Sequence, residues 1–268
     1  MIDQPPPELR RIQILAHVRR NGGASISQLA REYSISPVTV HRDLEMLATE
    51  GLITRIRGGA RAIEGDARGV ETDFMKRARQ NPAGKYVIAA QALREIADGS
   101  TIFIDHSTSS LALARQLERH PPKTLTVVTN SPAIAYELHE SNIHLVVTPG
   151  EVDQVMRLIS GGWTEDFLSR LHFQAAFVSG AGLSLERGLT TTRQSLAGTL
   201  RAARGVSQRT VALVDSTKVG RDSLLTIFTA QEPEEIITDE GVTAAVVAEY
   251  RAARVNLVVA QPNPAAVR

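Results

Sequence analysis

The spacing of apolar residues changes along the chain and predicts helices first and strands later. The segments Glu8–Arg20 and Ser25–Tyr33 each carry an apolar stripe at helical spacing. A third stripe is formed by Val40, Leu44 and Leu47, at positions i, i+4 and i+7. Further along, short apolar runs with little alternation are separated by amphipathic stretches, which is typical of strands buried between helices.

The third predicted helix begins at Ser36-Pro37 and exposes a polar tip. Ser36 can accept hydrogen bonds from free N–H groups, and Pro37 stands where no N–H is needed. A helix with a buried rear and a short polar and cationic tip can enter the major groove of DNA. Leu52–Arg57 then alternates like a strand, with Thr54 and both arginines expected opposite its apolar face, before a turn at Gly58-Gly59.

These elements predict a helix-turn-helix followed by a basic wing. A small helical bundle that contacts other proteins is the alternative. With double-stranded operator DNA as the partner, we expect Thr39, His41 and Arg42 to read bases or position phosphates. The residues expected mostly to hold the DNA backbone are Ser27, Gln28, Ser36, Arg55 and Arg57. The residues expected to contact DNA are Ser27, Gln28, Ser36, Pro37, Val38, Thr39, His41, Arg42, Arg55 and Arg57.

Polar residues follow several of the predicted strands. The strand at Ile102–Ile104 is followed by Asp105-His106 and four successive hydroxyl residues, immediately before a helix predicted from Leu111. A helix start of this kind offers N–H groups and the positive end of its dipole to an anion, for which phosphate is the natural occupant. Simple helix capping is the alternative. Strand ends meet at the carboxyl edge of a parallel sheet, and the residues expected to bind a ligand there are Asp105, His106, Ser107, Thr108, Ser109, Thr129, Asn130, Ser131, Gly150 and Lys218.

Composition narrows the class of protein. The 268 residues include no cysteine, which excludes disulfides, thiol catalysis and thiolate metal sites. The seven histidines show no paired spacing, so we expect neither a metal nor a cofactor. With no apolar signal region and no run long enough to span a bilayer, we expect a cytoplasmic protein without a membrane partner. Residues 1–61 carry nine arginines against six acidic residues, an excess that fits contact with a polyanion.

The two kinds of pattern predict two domains. We expect a winged helix-turn-helix DNA-binding domain over residues 6–62, a linker over residues 63–73 and an effector-binding domain over residues 74–260. The second domain is predicted to be a three-layer α/β structure with a mostly parallel sheet, so the fold class is α/β with an N-terminal winged helix-turn-helix.

The chain resembles the DeoR family of bacterial transcriptional regulators. Ser27–Leu44 and Gly51–Ala60 resemble the winged helix-turn-helix of that family. Later segments resemble its sensor domain, which belongs to the sugar-phosphate isomerase-like superfamily: Asp105–Ser109, Val127–Ser131, Gly188–Thr190, Asp215–Gly220 and Ile237–Asp239. The resemblance spans roughly residues 8–240 and implies a repressor of a sugar or polyol operon that a phosphorylated sugar-type metabolite releases from DNA.

The chain departs from the pattern of the family at several positions. His41-Arg42 stands where the family usually shows two basic residues, and Arg57 stands where it shows a histidine. Ser107-Thr108-Ser109 replaces the usual Gly-Thr-Thr, and Pro149-Gly150-Glu151 replaces a Gly-Gly pair. The first two changes keep hydrogen-bond donors on the predicted DNA surface, so they bear on which operator is read.

Two other functions stay open at this point. A sugar-phosphate isomerase-like enzyme would use Asp105 or Glu151 as its base, with His106 as a proton shuttle. A DNA-binding regulator with a degenerate sensor domain would respond to no metabolite. We expect no catalytic residues, because an isomerase has no use for a groove-reading module. The expected assembly is a homodimer or homotetramer whose recognition helices enter successive half-sites.

Overall fold

The computed structural model describes residues 7–21, 23–49, 53–62 and 73–261. The chain divides into two compact units, the first ending at Met75 and the second beginning at Lys76. Of the linker predicted over 63–73, residues 63–72 lie outside the described residues, and so do Gly51 and Leu52, the predicted end of the third helix and start of the wing. The domain bounds 6–62 and 74–260 stay predictions.

The first unit contains the helices α1 (Pro7–Asn21), α2 (Ile26–Glu32) and α3 (Pro37–Thr49), and the strands β1 (Gly23–Ser25), β2 (Ile53–Ile56) and β3 (Gly59–Ala62). The strands form a small antiparallel sheet in the order β1-β3-β2. The middle strand lies so close to its neighbour that a Cβ on Gly59 would come within 2.3 Å of the backbone oxygen of Ala24. Strand β1 was not predicted, because three small residues carry no alternating pattern.

The core of the first unit is built on the predicted stripe of α3. Val40, Leu44 and Leu47 are buried. Beside them a buried ion pair joins α1 to α3, since Arg10 Nε donates to Asp43 Oδ2 at 2.6 Å and Nη2 donates to Oδ1 at 3.2 Å. The hydrogen bond to Asp43 raises the pKa of Arg10, although burial acts in the opposite direction. This pair was not predicted, because no local pattern joins residues so far apart in sequence.

The remainder of the chain alternates strands and helices, and the predicted α/β class with a mostly parallel sheet is confirmed. A 3₁₀ turn covers Ser216–Lys218. The helices are α4 (Asp73–Arg79), α5 (Pro82–Leu93), α6 (Thr108–Arg119), α7 (Pro132–Leu138), α8 (Gly162–Ser169), α9 (Gln194–Gly205) and α10 (Ala244–Ala252). The strands are β4 (Ser100–Ile104), β5 (Leu125–Thr129), β6 (His144–Val147), β7 (Glu151–Asp153), β8 (Leu158–Ser160), β9 (Ala175–Val178), β10 (Gly182–Ser184), β11 (Gly188–Thr191), β12 (Thr210–Leu213), β13 (Leu225–Phe228), β14 (Glu235–Asp239) and β15 (Leu257–Ala260).

The main sheet has seven parallel strands in the order β15-β14-β12-β9-β4-β5-β6. The chain therefore runs outward in one direction from β4 and in the other direction from β9, and these two strands are neighbours. Right-handed crossovers then put the helices of the two halves on opposite faces of the sheet. Ligands in such sheets bind outside the carboxyl ends of the strands, at the point where the strand order reverses.

Two smaller β structures lie outside the main sheet. Strands β10, β11 and β13 form an antiparallel sheet, and β7 and β8 form a hairpin. Neither was predicted. None of the helices in the described ranges is long and apolar enough to cross a membrane.

Candidate functional site

The first candidate surface is the exposed start of α3. Ser36 caps this helix, because its Oγ accepts from the backbone N–H of Thr39 at 3.1 Å. Pro37 and Val38 are exposed, as are His41 and Arg42, while Thr39 is half-buried. The side chain of Val38 is 77% exposed, which is unusual for an apolar residue and leaves it free to contact a partner. All the predicted residues of this helix therefore lie on or beside its exposed side.

The start of α2 contributes two more of the predicted residues. Ser27 and Gln28 are exposed. Gln28 also completes a capping box with Ser25: its backbone N–H donates to Ser25 Oγ at 3.2 Å, and its Oε1 accepts from Ser25 N at 3.3 Å. These contacts hold the first turn of α2 in place, so Gln28 has a structural task alongside the predicted one.

The wing corrects one sequence prediction. Thr54 and both arginines were expected on the same side of β2, which was wrong because successive strand residues point to opposite faces. Ile53 is buried and Arg55 is half-buried on the same side, while Thr54 is exposed and Ile56 is 49% exposed. Arg57 follows the strand and is exposed.

Arg55 joins the wing to the helix. Its Nη2 lies 2.9 Å from Nδ1 of His41. Its other terminal nitrogen, Nη1, is buried and has no hydrogen-bond partner among the described residues. The two predicted DNA-contacting residues therefore contact each other, although they come from different elements.

The second candidate site lies where the strand order of the main sheet reverses. Asp105 follows β4 and is fully buried. Its Oδ1 accepts from Ser107 N at 3.0 Å and from Ser110 Oγ at 2.5 Å. Its Oδ2 accepts from Ser179 N, after β9, at 2.8 Å. The carboxylate thus ties the two diverging strand ends together, which leaves it little capacity for a ligand.

Helix α6 begins at this point. Ser107 caps it, with Oγ accepting from Ser110 N at 3.0 Å, and Thr108 is its first residue. After β5, Thr129 donates to the backbone oxygen of Ile104 at 2.7 Å, and Ser131 caps α7 by accepting from Ile134 N at 3.2 Å. Ser107, Thr129 and Ser131 therefore have structural partners, as the capping alternative required.

Four side chains at the ends of β4, β5 and β6 contain buried polar atoms without a partner. The unpaired atoms are both ring nitrogens of His106, Oγ of Ser109, Oδ1 of Asn130 and Oγ1 of Thr148. None of these atoms has a hydrogen bond within the described part of the chain. The amide nitrogen of Asn130 does donate to Ile159 O at 3.1 Å. Buried polar groups are seldom left unpaired in a protein, so each needs an explanation. Three of the four were predicted to bind a ligand; Thr148 was not.

His106 is neutral at physiological pH. Burial lowers its pKa to about 4, with Asp105 opposing this change and the cations Arg77 and Lys218 adding to it. A neutral imidazole has one hydrogen-bond donor and one acceptor. His106 can therefore both donate to and accept from a hydroxyl group.

Lys218 lies in the 3₁₀ turn after β12, in the half of the main sheet that begins at β9. Its Nζ donates to the backbone oxygen of Gly180 at 2.9 Å and lies 3.9 Å from Asp215 Oδ2. Burial lowers the pKa of Lys218 to about 8, although Asp215 acts in the opposite direction. The same carboxylate oxygen lies 3.5 Å from Nζ of Lys85, a buried lysine of α5. Sequence reasoning missed Lys85, because a lysine in an amphipathic helix is normally exposed.

Gly150 was predicted to contact the ligand, and the structure gives it a packing role as well. Its φ is +145°, and a Cβ there would lie 2.2 Å from Thr164 Oγ1 and 2.7 Å from Ser160 O. It lines a small pocket of about 130 Å³ at the start of α8, which contains none of the other predicted residues. The other residues that line this pocket are Glu151, Ser160, Gly161, Gly162 and Trp163.

The arrangement as a whole is suited to binding an anion with hydroxyl groups. Two largely buried lysines, the starts of α6 and α7 and several unpaired polar atoms lie along one edge of the sheet. Within the described residues, no group of three or more histidine or acidic side chains could hold a metal ion.

Comparisons with known proteins agree with both halves of this description. A family model described as the DeoR-like helix-turn-helix domain matches residues 10–65, and one described as the DeoR C terminal sensor domain matches residues 80–240. The HTH-type transcriptional regulator GlpR of Haloferax volcanii is 31% identical over 87% of this chain and 90% of its own length. The glycerol-3-phosphate regulon repressor of Escherichia coli is 29% identical, covering 84% and 88%. The L-fucose operon activator of Haemophilus influenzae is 30% identical, covering 84% and 89%.

Proposed function

We propose that this chain, which belongs to the DeoR family of transcriptional regulators, is a DNA-binding repressor of a sugar or polyol operon. It leaves its operator when a phosphorylated metabolite binds the second unit. The observation that carries the effector part of this proposal is the set of unpaired buried atoms on His106, Ser109, Asn130 and Thr148. Such a regulator works on the chromosome, in the cytoplasm.

The exposed tip of α3 supports DNA as the partner. Val38, His41 and Arg42 are exposed on a helix whose opposite side is buried, and Arg57 is exposed on the wing. This is the distribution that a helix in the major groove and a wing on the phosphate backbone require. We expect a homodimer or homotetramer whose two recognition helices are about 34–36 Å apart, or a multiple of that distance.

The chemistry of the unpaired atoms supports an effector that carries both an anion and hydroxyl groups. The Oδ1 atom of Asn130 can only accept, so it needs an O–H or N–H group from the ligand. Neutral His106 can pair with further hydroxyls. The anion is expected at the start of α6, within reach of the Lys218 ammonium. A phosphorylated sugar or polyol has both kinds of group, whereas inorganic phosphate lacks the hydroxyls of the carbon chain.

Effector binding would act by favouring one arrangement of the two protomers over another. Its effect on DNA affinity is then limited to its differential affinity for the DNA-binding and the released arrangements. Because we propose a repressor, we expect the effector to weaken operator binding.

The test is a gel shift of the full-length protein on the DNA upstream of its own gene, titrated with a panel of phosphorylated sugars and polyols at fixed salt. We expect a specific shift that at least one compound abolishes. Thr148→Val should weaken that response, because it removes one of the unpaired hydroxyls. Thr238→Val is the matched control, since Thr238 Oγ1 is also buried and unpaired among the described residues but belongs to β14, in the other half of the sheet.

The outcomes separate the alternatives. A specific shift that no compound changes would support a degenerate sensor instead. A compound that strengthens the shift would contradict the repressor mechanism. An equal loss of response in both threonine variants would contradict the proposal that the unpaired atoms at the ends of β4, β5 and β6 form the effector site.

The isomerase alternative has its own test. Its best candidate base, Asp105, already accepts three hydrogen bonds, which supports a structural role for that carboxylate. We expect no interconversion when the protein is incubated with aldose and ketose phosphates. Turnover that disappears in Asp105→Asn would favour the enzyme.

A further inference from the structure

The contact between Arg55 and His41 determines which ring nitrogen carries the proton. Nη2 of Arg55 lies 2.9 Å from Nδ1 of His41. A guanidinium group has five N–H donors and no acceptor. The Nδ1 atom must therefore be the acceptor, so in the neutral ring the proton is on Nε2.

We propose that Arg55 is a positioning residue for DNA recognition: it holds the exposed ring of His41 in the Nε2–H tautomer, so that the recognition helix presents a hydrogen-bond donor to DNA. Without Arg55, a histidine side chain in water exchanges between both tautomers and several rotamers. The identity of the partner rests on the proposed function, whereas the tautomer of His41 does not.

Arg55 itself is poorly placed to contact DNA. Its side chain is half-buried, one terminal nitrogen is engaged by His41, and the other is buried without a partner among the described residues. Arg57, two residues further along, is exposed. The two wing arginines therefore have different tasks, with Arg57 available to the phosphate backbone and Arg55 acting through His41.

The donor on His41 restricts what it can read. In the major groove it can pair with guanine O6 or N7, adenine N7 or thymine O4, whereas the amino groups of cytosine and adenine are donors and do not pair with it. A phosphate oxygen is an acceptor of the same chemistry. In both cases the DNA supplies a hydrogen-bond acceptor, and the second measurement below distinguishes a base from a phosphate.

The first measurement needs no DNA. In the full-length protein labelled with ¹⁵N-histidine, long-range ¹H–¹⁵N correlation spectra report which nitrogen of His41 is protonated. We expect the Nε2–H form in the wild type and in Arg57→Ala, and a mixture of both tautomers in Arg55→Ala. Arg55→Met, which keeps a long side chain but has no N–H donor, should also lose the single tautomer, and it replaces Arg55→Ala if that variant does not fold. A wild-type His41 protonated on Nδ1, or spectra unchanged in folded Arg55 variants, would overturn the proposal.

The second measurement is selection of bound duplexes from a randomised library at fixed salt, followed by affinity measurements on the selected site. We expect Arg55→Ala and His41→Ala each to lower affinity about tenfold for each half-site occupied, the effect of one hydrogen bond per protomer, with no further loss in the double variant. If the acceptor is a base, the loss is confined to one position of each half-site; if it is a phosphate, the loss is uniform over sequences. Either pattern supports the proposal, and fully additive losses would overturn it.

Arg57→Ala is the matched control in both measurements. It should weaken binding uniformly over sequences and lower the salt dependence by about one unit of slope for each half-site occupied, without any coupling to His41. If the wild type binds no duplex at all, the proposed function fails, while the ¹⁵N spectra still decide the role of Arg55.

Discussion

Replacing Lys218 with methionine should stabilise the free protein and abolish its response to effector. The side chain of Lys218 is only 14% exposed, and the carboxylate that pairs with it, Asp215, is shared with Lys85. Burial lowers the pKa of Lys218 from 10.5 to about 8, which means that the folded protein holds this charge less well than the unfolded chain does. A bound phosphate would supply the missing counter-charge.

The magnitude follows from the two pKa values. At about 1.36 kcal/mol for each pH unit, lowering the pKa from 10.5 to about 8 costs the folded state about 3 kcal/mol. The cost is fully present below pH 8, where Lys218 is charged in both states. It fades as the pH rises from about 8 towards 10.5, because the folded protein releases its proton first. The methionine variant has no such dependence.

The assay is urea unfolding followed by the fluorescence of Trp163, the single tryptophan of the chain, which lies in the second unit. The gap in unfolding free energy between Lys218→Met and the wild type should shrink by about 2 kcal/mol between pH 7 and pH 10. Lys123→Met, at an exposed lysine, is the control and should show no such change. A gap that is constant with pH would refute the reasoning, and so would a variant that still responds to effector.

Two further predictions concern buried charges. Asp43→Ala leaves Arg10 buried without its partner and should lower the unfolding free energy of the first unit by about 3 kcal/mol. Circular dichroism should show this as a transition that Trp163 fluorescence does not follow. A loss below about 1 kcal/mol, the size expected of an exposed pair, would contradict the burial of this ion pair. His106 has a pKa of about 4 in the folded protein, below its ordinary value of 6.5. As the pH is lowered from 6.5 towards 4, the unfolded chain takes up this proton before the folded protein does, so the wild type loses stability. By pH 5 the wild type should have lost about 2 kcal/mol relative to His106→Gln, measured by the same fluorescence, and parallel losses in both proteins would show that His106 does not titrate as proposed.

Local patterns were sufficient for helix α3 and for the strands of the main sheet. The stripe of Val40, Leu44 and Leu47 predicts α3 because side chains at i, i+4 and i+7 lie on one face of any helix, whatever the rest of the chain does. The carboxyl ends of β4 and β5 could be found in the same way, because short apolar runs followed by polar residues mark strand ends in a parallel sheet. Hydroxyl residues before a helix likewise predict capping without tertiary information.

The pairing of side chains required the tertiary structure. Asp105 was predicted as a ligand contact, and no local pattern showed that its carboxylate accepts from Ser179, 74 residues away in sequence. Lys85 reaches Asp215 from a helix that periodicity alone would place at the surface. Such contacts depend on which strands become neighbours, and strand order is set by the packing of the whole sheet, which no local window contains.

The amino-acid sequence by itself therefore determined the α/β class and helix α3, which depend on periodicity, and its motifs carried the resemblance to the family. Only the tertiary structure decided which polar groups are already satisfied and which stay unpaired, and that Arg55 contacts His41. The physical reason is that a hydrogen bond is short and directional, so its presence depends on the relative placement of elements to within a few tenths of an ångström.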